Sequence, residues 1–394
     1  MNKKTVRDID VAGRRVLVRV DFNVPLNDAL EIQDNSRIKA ALPTINYLLE
    51  HGAKVILVSH LGRPKGVVVD TMRLNPVAKE LEKLLGKKVI KVDEATDGDV
   101  EKAVENLQND QVILLENIRF YPEETANDPV FAKKLASYAD LFVNDAFGTA
   151  HRAHASTVGV TAYLPAVAGF LLEKEVKALS ALIKNPAKPF VAMLGGNKIG
   201  DKIGVITNFL EICDRLIIGG GMCFAFLKAQ GLNIGNSLFD PEQSGAAEKI
   251  LKQTEQEGIP LYLPEDFVVG DKFAQDAKTQ IVGAENIPDG WRGLDIGPQT
   301  IALFKDTLSD AKTIFWNGPM GVFEWPAFAE GTRSIAEALA KSSALTIVGG
   351  GDSVSALKQF GVEDKIDHVS TGGGASMKVL EGKALPAVEA LLDK

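Results

Sequence analysis

Polar side chains, three of them arginines, recur in the first half of the chain directly after short apolar runs, where they suit the binding of an anion. These residues are Asp21, Asn23, His60, Arg63, Arg119 and Arg152. Guanidinium groups form paired hydrogen bonds with phosphate or carboxylate, so several together favour a small, multiply charged anion. Arg37 follows a helix-capping sequence at 34–36 and is otherwise typical of a surface arginine. His60 is equally consistent with a structural and a binding role.

Three Gly-Gly-Gly runs lie in the second half of the chain, at 219–221, 349–351 and 372–374. Each stands where an apolar, strand-like stretch ends and a helix-like stretch begins. Glycine permits positive φ and close approach of a ligand to backbone N–H groups, and a helix start offers unpaired donors. Together these features suit phosphate. One run alone could equally reflect tight packing between a strand and a helix, but three favour anion binding.

Charged residues beside the glycine-rich turns extend this pattern. Lys198 and Lys202 are four residues apart, so both would lie on one face if a helix begins there. The alternative is a solvated helix face, and the segment is not a Walker loop because Asp201 stands where that motif has lysine. Asp352 and Ser353 follow the second glycine run, where they suit a magnesium-bound nucleotide or, alternatively, a helix N-cap.

The segment 316–324 (WNGPMGVFE) combines a tight turn with a carboxylate. Asn317 and Pro319 belong to the turn, and Glu324 could accept hydrogen bonds from ribose hydroxyls or could be a plain exposed carboxylate. His151 and His154 lack the further ligands that zinc needs. Because the sequence also has no catalytic triad, dinucleotide fingerprint or protein-kinase motif, we expect no covalent nucleophile.

The elements that position these residues alternate between strand and helix. Runs typical of strands lie at 15–20, 54–59, 111–115, 141–144, 190–194, 215–218, 313–316 and 345–348. Helical periodicity occurs between most of them, at 37–50, 76–85, 128–138 and 332–340. The alternation predicts an α/β protein with two doubly wound, parallel, Rossmann-like sheets. Ligands of such sheets bind beyond the carboxyl ends of the strands, where the polar residues lie.

A chain of 394 residues is long enough for two domains. We predict an N-terminal domain at 1–170 that also includes 380–394, a hinge at 171–188, and a C-terminal domain at 189–379. The hinge prediction rests on 166–184, which is expected to form one long helix, and on the turn-rich stretch 184–189 after it. A short helix at 385–394 is expected to pack back on the first domain.

The composition of the chain indicates which classes of partner and which cellular compartment to expect. The formal net charge of -8 disfavours nucleic acid and anionic membranes as partners, and no stretch approaches the ~18 consecutive apolar residues of a membrane span. Two cysteines without CxxC spacing fit a reducing cytosol, so we expect a cytoplasmic protein. Two complete domains need no partner subunit, and a monomer is therefore expected.

A set of motifs gives the chain a specific resemblance. VRVDFNVP, SHLGRPKG, LLENIRFY, NDAFGTAHRAHAS, WNGPMGVFE, VGGGDS and STGGGAS occur in the order found in phosphoglycerate kinases. The chain resembles the bacterial-type, monomeric members of that family over essentially its full length. The resemblance implies reversible phosphoryl transfer from 1,3-bisphosphoglycerate to ADP, which gives 3-phosphoglycerate and ATP, with Mg²⁺ as the cofactor.

The resemblance also implies roles for individual residues. Those expected to hold the glycerate substrate are Asp21, Phe22, Asn23, Arg37, His60, Leu61, Gly62, Arg63, Arg119 and Arg152. Those expected to hold the nucleotide are Gly195, Lys198, Lys202, Gly219, Gly220, Gly293, Asn317, Pro319, Glu324, Gly350, Gly351, Asp352 and Ser353, with Asp352 on the metal. The expected catalytic residues are Arg37, Lys198, Lys202 and Gly373. Departures from the family pattern at Asn197, Gly200, Cys223 and Phe224 lie on the nucleotide side and bear on nucleotide affinity.

Phosphoryl transfer needs in-line positioning and stabilisation of charge rather than covalent help from the protein. We predict that Arg37 and Lys202, with N–H groups of the glycine runs, stabilise this charge, and that the domains close about the hinge. Two alternatives are an NAD-dependent dehydrogenase and a non-enzymatic nucleotide-binding protein. The first would need the dinucleotide fingerprint that the chain lacks, and the second would not need the arginines of the first half.

Overall fold

The computed structural model describes residues 2–200, 202–241 and 244–394, which form two compact units. Unit 1 consists of Met1–Lys177 and Ala384–Lys394, and unit 2 consists of Ala178–Lys383. The boundary between them lies within one helix, Phe170–Lys184. The range 171–188, where the sequence suggests a hinge, covers most of that helix and the turn after it.

Unit 1 contains a six-stranded sheet whose strand pairs are all parallel. Its strands are β1 (Arg15–Arg19), β2 (Lys54–Val58), β3 (Val89–Lys91), β4 (Val112–Leu114), β5 (Leu141–Asn144) and β6 (Ala166–Ala168), in the order β3-β4-β2-β1-β5-β6. Its helices are α1 (Ser36–Glu50), α2 (Asn75–Leu85), α3 (Gly98–Glu105), α4 (Pro122–Ala126), α5 (Pro129–Ala136) and the first part of α6 (Phe170–Lys184). Short 3₁₀ turns occur at Val6–Asp8, Asp70–Met72, Ile118–Phe120, Phe147–Thr149 and Gly159–Ala162.

The packing of unit 1 follows from its strand periodicity. Alternate strand residues such as Val16 and Val18 belong to one buried apolar cluster with Ile45 and Leu48 of α1. Because β1 and β2 pair in parallel register, their carboxyl ends lie side by side. The polar residues that follow the two strands in the sequence are therefore brought together at one edge of the sheet.

Unit 2 contains a second six-stranded parallel sheet and a three-stranded antiparallel sheet. The parallel sheet has the order β15-β14-β13-β7-β8-β9, with β7 (Phe190–Leu194), β8 (Arg215–Ile218), β9 (Leu261–Tyr262), β13 (Thr313–Asn317), β14 (Leu345–Gly349) and β15 (His368–Val369). The antiparallel sheet has the order β11-β10-β12, with β10 (Asp266–Gly270), β11 (Thr279–Gly283) and β12 (Arg292–Ile296). The helices are α7 (Ile203–Leu210), α8 (Cys223–Ala229), α9 (Ser244–Glu257), α10 (Pro298–Leu308), α11 (Glu330–Lys341), α12 (Gly351–Gln359) and α13 (Gly374–Leu380), with 3₁₀ turns at Ala284–Asn286, Pro326–Phe328 and Glu363–Lys365.

The predicted α/β class with two parallel sheets is confirmed. Every predicted strand is present, and each end lies within one residue of its predicted position. The antiparallel sheet was not predicted. Its strand β11 has the sequence TQIVG and is exposed over most of its length, so it lacks the continuous apolar run that marks a buried parallel strand.

The prediction of one helix at 166–184 is wrong, because Ala166–Ala168 is strand β6 and the helix begins at Phe170. The break falls at Gly169, where a Cβ would collide with the carboxyl group of Asp145. That carboxyl group accepts hydrogen bonds from the N–H groups of Leu171 and Leu172, at 2.8 and 3.2 Å, and so caps the new helix. The apolar periodicity of 166–184 does not distinguish a short buried strand from a helix.

The C-terminal segment Ala384–Lys394 belongs to unit 1. Its helix α14 (Pro386–Glu389) is shorter than the predicted range 385–394. The N–H of Ala387 donates to the carbonyl of Ala150 at 3.2 Å, and the N–H of Leu392 donates to that of Ala166 at 2.9 Å. Across the described ranges, no helix combines the length and the apolar character needed to cross a bilayer.

Candidate functional site

Unit 1 gathers polar side chains where β1 and β2 end. Asp21 accepts a hydrogen bond from the Arg37 guanidinium at 2.8 Å, and its other carboxylate oxygen is 3.8 Å from Nδ1 of His60. The side-chain oxygen of Asn23 accepts from the N–H of Gly62 at 2.8 Å. These contacts join residues that lie up to about forty positions apart, so the sheet edge rather than the local sequence assembles the group.

Four arginines surround His60 and give this edge an excess of positive charge. Burial is the largest cause that holds the pKa of His60 well below its usual value, and Arg19, Arg119, Arg37 and Arg152 lower it further. Burial, with Arg19 and Arg152, likewise lowers the pKa of Arg119 to about 10. The Nε of Arg119 is buried and has no hydrogen-bond partner among the described residues. Neutral His60 and an unsatisfied guanidinium donor make this edge suitable for an anion.

Arg19 is a member of this group that the sequence analysis missed. It is fully buried on β1, where its Nε donates to the Ser156 hydroxyl at 2.9 Å and its NH2 lies 3.3 Å from Nδ1 of His60. Ser156 in turn donates to the buried carboxylate of Glu124 at 2.7 Å. Burial by itself would raise the pKa of Glu124, but His154, Arg19 and Ser156 outweigh it and lower that pKa. A charged residue inside an apolar strand was the only sequence signal for this network.

Most of the remaining predicted residues of unit 1 have contacts at the same edge. Arg119 donates to the carbonyl of Gly62 at 2.9 Å, and the N–H of Phe22 donates to the Ser59 hydroxyl at 2.9 Å. Arg152 is half-buried and its Nε lies 3.1 Å from the His151 ring, whereas Arg63 is exposed.

Asn117 holds three backbone segments of this edge together and was also missed. Its fully buried amide accepts from the N–H groups of Leu61 and Arg119, at 3.1 and 3.2 Å. The same amide donates to the carbonyls of Leu61 and Met72, at 2.8 and 2.9 Å. Asn117 therefore positions the backbone on either side of Arg63 and at Arg119 itself, without being exposed.

Unit 2 contains two adjoining cavities, which share Gly196, Asn197 and Asp352. The first, which we call the apolar cavity, has a volume of about 570 Å³ and is walled largely by Phe224, Leu238, Phe267, Phe273 and Met320. It also contains five of the predicted nucleotide residues, Gly220, Gly293, Pro319, Glu324 and Asp352. An apolar cleft of this size with a few polar groups is typical of a small-molecule site.

The second cavity, which we call the glycine cavity, has a volume of about 400 Å³. It is lined by predicted residues, namely Lys198, Lys202, Asn317, Gly350, Gly351, Asp352, Ser353 and Gly373. Gly350 has φ 92°, a conformation that favours glycine, and α12 begins at the next residue. The cavity thus combines two lysines with the start of a helix, which is a suitable environment for phosphate.

Lys198 and Lys202 both line the glycine cavity, but they do not lie on the helix where the sequence suggested them. Helix α7 begins at Ile203, after both of them, so the prediction that they share a helix face is wrong. The Lys202 ammonium donates to the side-chain oxygen of Asn317 and lies 3.3 Å from its carbonyl. Asp201 lies outside the described residues.

Two of the predicted glycines, Gly195 and Gly219, do not line either cavity within the described structure. Their N–H groups donate to the carbonyls of Asn317 and Leu194, at 2.9 and 2.8 Å. A Cβ on Gly195 would collide with the carbonyl of Pro319. Close packing between strand ends is therefore the observed role of both residues.

Asp352 supplies a carboxylate to the wall of the glycine cavity. It is exposed in the first turn of α12 and lines both cavities. Ser353 beside it accepts a hydrogen bond from the N–H of Gly318 at 2.6 Å. Mg²⁺ commonly binds to one or two carboxylates together with the phosphates of a ligand. A single carboxylate in a glycine-rich cavity that is also lined by two lysines fits this donor set.

Comparisons with known proteins identify the family. The family model for phosphoglycerate kinase matches residues 6–383. The phosphoglycerate kinases of Nostoc sp. and of Moorella thermoacetica are each 56% identical to this chain, covering 99% and 100% of both chains, respectively. The structure of phosphoglycerate kinase from Coxiella burnetii superposes with a TM-score of 0.89 at 42% identity, and that from Pyrococcus horikoshii with 0.86 at 32%, each covering 98% of both chains. This chain belongs to the phosphoglycerate kinase family.

Proposed function

We propose that this chain catalyses reversible phosphoryl transfer from 1,3-bisphosphoglycerate to ADP, giving 3-phosphoglycerate and ATP in glycolysis. Membership of the family supports the reaction. The single observation that carries the proposal for this chain is the pairing of two anion sites of different character. Four arginines surround His60 in unit 1, and two lysines line a glycine-rich cavity in unit 2.

The arginine edge of unit 1 is the proposed glycerate site. The residues that hold this substrate are Asp21, Phe22, Asn23, Arg37, His60, Leu61, Gly62, Arg63, Arg119 and Arg152. Planar guanidinium groups recognise both the phosphate and the carboxyl end of a phosphoglycerate. Neutral His60 offers a hydrogen bond without adding further charge.

The cavities of unit 2 are the proposed nucleotide site. The apolar cavity suits a nucleobase, because aromatic and aliphatic side chains dominate its wall. The glycine cavity suits the phosphates, with Lys198 and Lys202 as counter-charges. Mg²⁺ held by Asp352 would neutralise charge on the bound phosphates. Asn197 lines both cavities and Phe224 lines the first, so we propose that these departures from the family pattern tune nucleotide affinity.

Catalysis is proposed to rest on positioning and charge. Arg37 from unit 1 and Lys202 from unit 2 stabilise the charge on the transferring group, with Gly373 beside Lys202 in the glycine cavity. Because the two sites belong to different units, the reaction requires the units to close and exclude water, with 171–188 as the hinge. Small-angle scattering tests this step, and an unchanged profile after addition of both substrates would contradict it.

A coupled assay tests the reaction itself. ATP formation is measured with ADP, Mg²⁺ and 1,3-bisphosphoglycerate, and NAD reduction is followed in a parallel sample without ADP. ATP formation that requires the acyl phosphate supports the proposal. Nucleotide binding without turnover would favour a non-enzymatic protein, and NAD reduction would favour a dehydrogenase. We further propose that the enzyme acts as a cytoplasmic monomer, which light scattering of the purified protein tests for the oligomeric state.

Replacing Lys202 with methionine is expected to lower kcat about a hundredfold, because one charge donor to the transferring group is lost. Steady-state rates with varied ATP measure the effect. Lys305→Met is the matched control, since Lys305 is exposed on α10 in the same unit. A Lys202→Met variant with the kcat of the control would remove Lys202 from the catalytic residues.

Replacing Asn117 with alanine is expected to raise the KM for 3-phosphoglycerate about tenfold and to leave the KM for ATP unchanged. The lost hydrogen bonds leave buried backbone groups of Leu61 unpaired, which also costs about 2 kcal/mol of stability. Asn208→Ala is the control, because Asn208 donates to the carbonyl of Leu380 at 2.7 Å in unit 2. Equal changes in both KM values would show that Asn117 is structural rather than a positioning residue.

A further inference from the structure

Arg292 lies in the wall of the apolar cavity and has no assigned role. It is half-buried at the start of β12. Of the described residues that line this cavity, it is the one lysine, arginine or histidine. Its Nε is buried and finds no hydrogen-bond partner within the described ranges. A buried donor without a partner is costly, so an acceptor on a bound ligand would relieve this cost.

The carboxyl groups near Arg292 do not neutralise it. Asp295, three residues further along β12, accepts hydrogen bonds from the N–H groups of Ile296 and Gly331, at 2.9 and 2.7 Å. Burial raises the pKa of Asp295 to about 8, so this group is largely protonated at neutral pH. Glu324 also lines the cavity, but it is exposed and forms no ion pair with Arg292 in the described structure. The guanidinium is therefore available to a ligand.

The position of Arg292 assigns it to the base rather than to the phosphates. Its neighbour Gly293 packs so closely on the ring of Phe224 that a Cβ there would collide with it. The carbonyl of Trp291, on its other side, accepts from the N–H of Asn236 at 2.7 Å. Phe224 and Asn236 line the apolar cavity but not the glycine cavity, where Lys198 and Lys202 lie.

Purines differ in what they offer to a guanidinium. Guanine and hypoxanthine present two adjacent acceptors, O6 and N7, which match the paired N–H groups of arginine. Adenine presents N7 next to an amino group, and that amino group is itself a donor. A guanidinium against this edge therefore gains more from a 6-oxopurine than from adenine.

We infer that Arg292 is a specificity-determining residue of the nucleotide site and that it favours 6-oxopurine nucleotides relative to adenine nucleotides. The inference rests on the proposed nucleotide site in unit 2. It concerns the relative affinities, so ADP remains a substrate. Removal of the guanidinium is expected to shift the selectivity toward adenine.

The test measures kcat/KM and, separately, the Kd by calorimetry for ADP, GDP and IDP with the wild type and with Arg292→Met. The kcat/KM for GDP or IDP, divided by that for ADP, is expected to fall about tenfold in the variant. The corresponding ratio of affinities is expected to fall by the same factor. IDP is included because it lacks the 2-amino group of guanine and so isolates the O6 and N7 edge. Arg333→Met is the matched control, because Arg333 is an exposed arginine on α11 of the same unit.

A second measurement uses only the wild type and so does not depend on the folding of a variant. 7-Deaza-GDP, in which N7 is replaced by carbon, is expected to bind about tenfold more weakly than GDP. An unchanged ratio in Arg292→Met, or equal affinities for GDP and its 7-deaza analogue, overturns the inference. An equal loss of affinity for ADP, GDP and IDP in Arg292→Met also overturns the inference, because it would assign Arg292 to the phosphates. Absence of the corresponding nucleoside triphosphate with every diphosphate would instead contradict the proposed function, while the ratios of Kd between nucleotides would still test Arg292.

Discussion

Replacing Arg37 with methionine is expected to lower kcat about a thousandfold and to change the KM for ADP by less than about twofold. Arg37 lies at the start of α1, and its guanidinium is held by Asp21 at 2.8 Å. Its side chain is 35% exposed, so the group is oriented on one side and accessible on the other. An arginine positioned in this way can donate to charge that develops during phosphoryl transfer. The proposed nucleotide site belongs to unit 2, so we expect it to be little affected.

Two further variants show whether the effect belongs to the chemistry. Arg37→Lys keeps the charge but loses the paired donors, and an intermediate kcat is expected. Arg15→Met is the control, because Arg15 is also an arginine of unit 1 that pairs with a carboxylate, Asp140, at 2.8 Å. Steady-state kinetics with each substrate varied in turn measures all three variants. A kcat for Arg37→Met close to that of Arg15→Met would show that Arg37 does not stabilise the transferring group.

Most of the fold could be predicted because its strands are continuous apolar runs separated by helical periodicity. The parallel strands need both faces covered, so their sequences lack polar alternation and are easily recognised. The errors have physical causes. Strand β6 is only three residues long and is followed by a helix, so its apolar residues merge with the helical pattern. The antiparallel sheet of β10, β11 and β12 is partly exposed, and its order depends on pairing that sequence periodicity does not report.

The candidate site could be predicted where a residue follows a strand and carries its own chemical signature. Arg119 and Asp352 are of this kind. Arg19, Glu124 and Asn117 were missed because their roles depend on contacts between segments far apart in the sequence. A buried glutamate or asparagine has no distinguishing pattern until its partners are known.

The roles of the three glycine runs likewise depend on surroundings that the sequence does not show. They share one sequence but differ in what surrounds them. The first run packs closely, since a Cβ on Gly220 would lie 2.5 Å from the backbone nitrogen of Gly196. Gly350 and Gly373, in contrast, line the glycine cavity at the starts of α12 and α13. The first triplet therefore combines close packing with a place in the wall of the apolar cavity, whereas the other two provide a helix start at the glycine cavity.

Asp145 makes the free energy of unfolding fall as the pH rises from about 4 to about 7, and Asp145→Asn is expected to remove this dependence. Burial raises the pKa of Asp145 to about 7, although Thr44, Leu172 and Leu171 donate hydrogen bonds that lower it. The unfolded chain releases this proton near pH 3.8, whereas the folded chain keeps it until about pH 7. Between these values the folded state binds more protons, so stability decreases with rising pH, by about 4 kcal/mol over the whole window.

Urea unfolding followed by far-ultraviolet circular dichroism at several pH values measures the difference between wild type and Asp145→Asn. Subtraction cancels the other titrating groups that the two proteins share. Asp140→Asn is the control. Its hydrogen bond with Arg15 lowers the pKa of Asp140, so its contribution is lost only as the pH falls below about 3.8 and is constant above pH 5. A constant difference between wild type and Asp145→Asn from pH 5 to pH 8 would mean that Asp145 is already ionised in the folded protein at pH 5. Its buried carboxylate would then be stabilised as an anion at the start of α6, and the capping hydrogen bonds from Leu171 and Leu172 would outweigh the cost of burial.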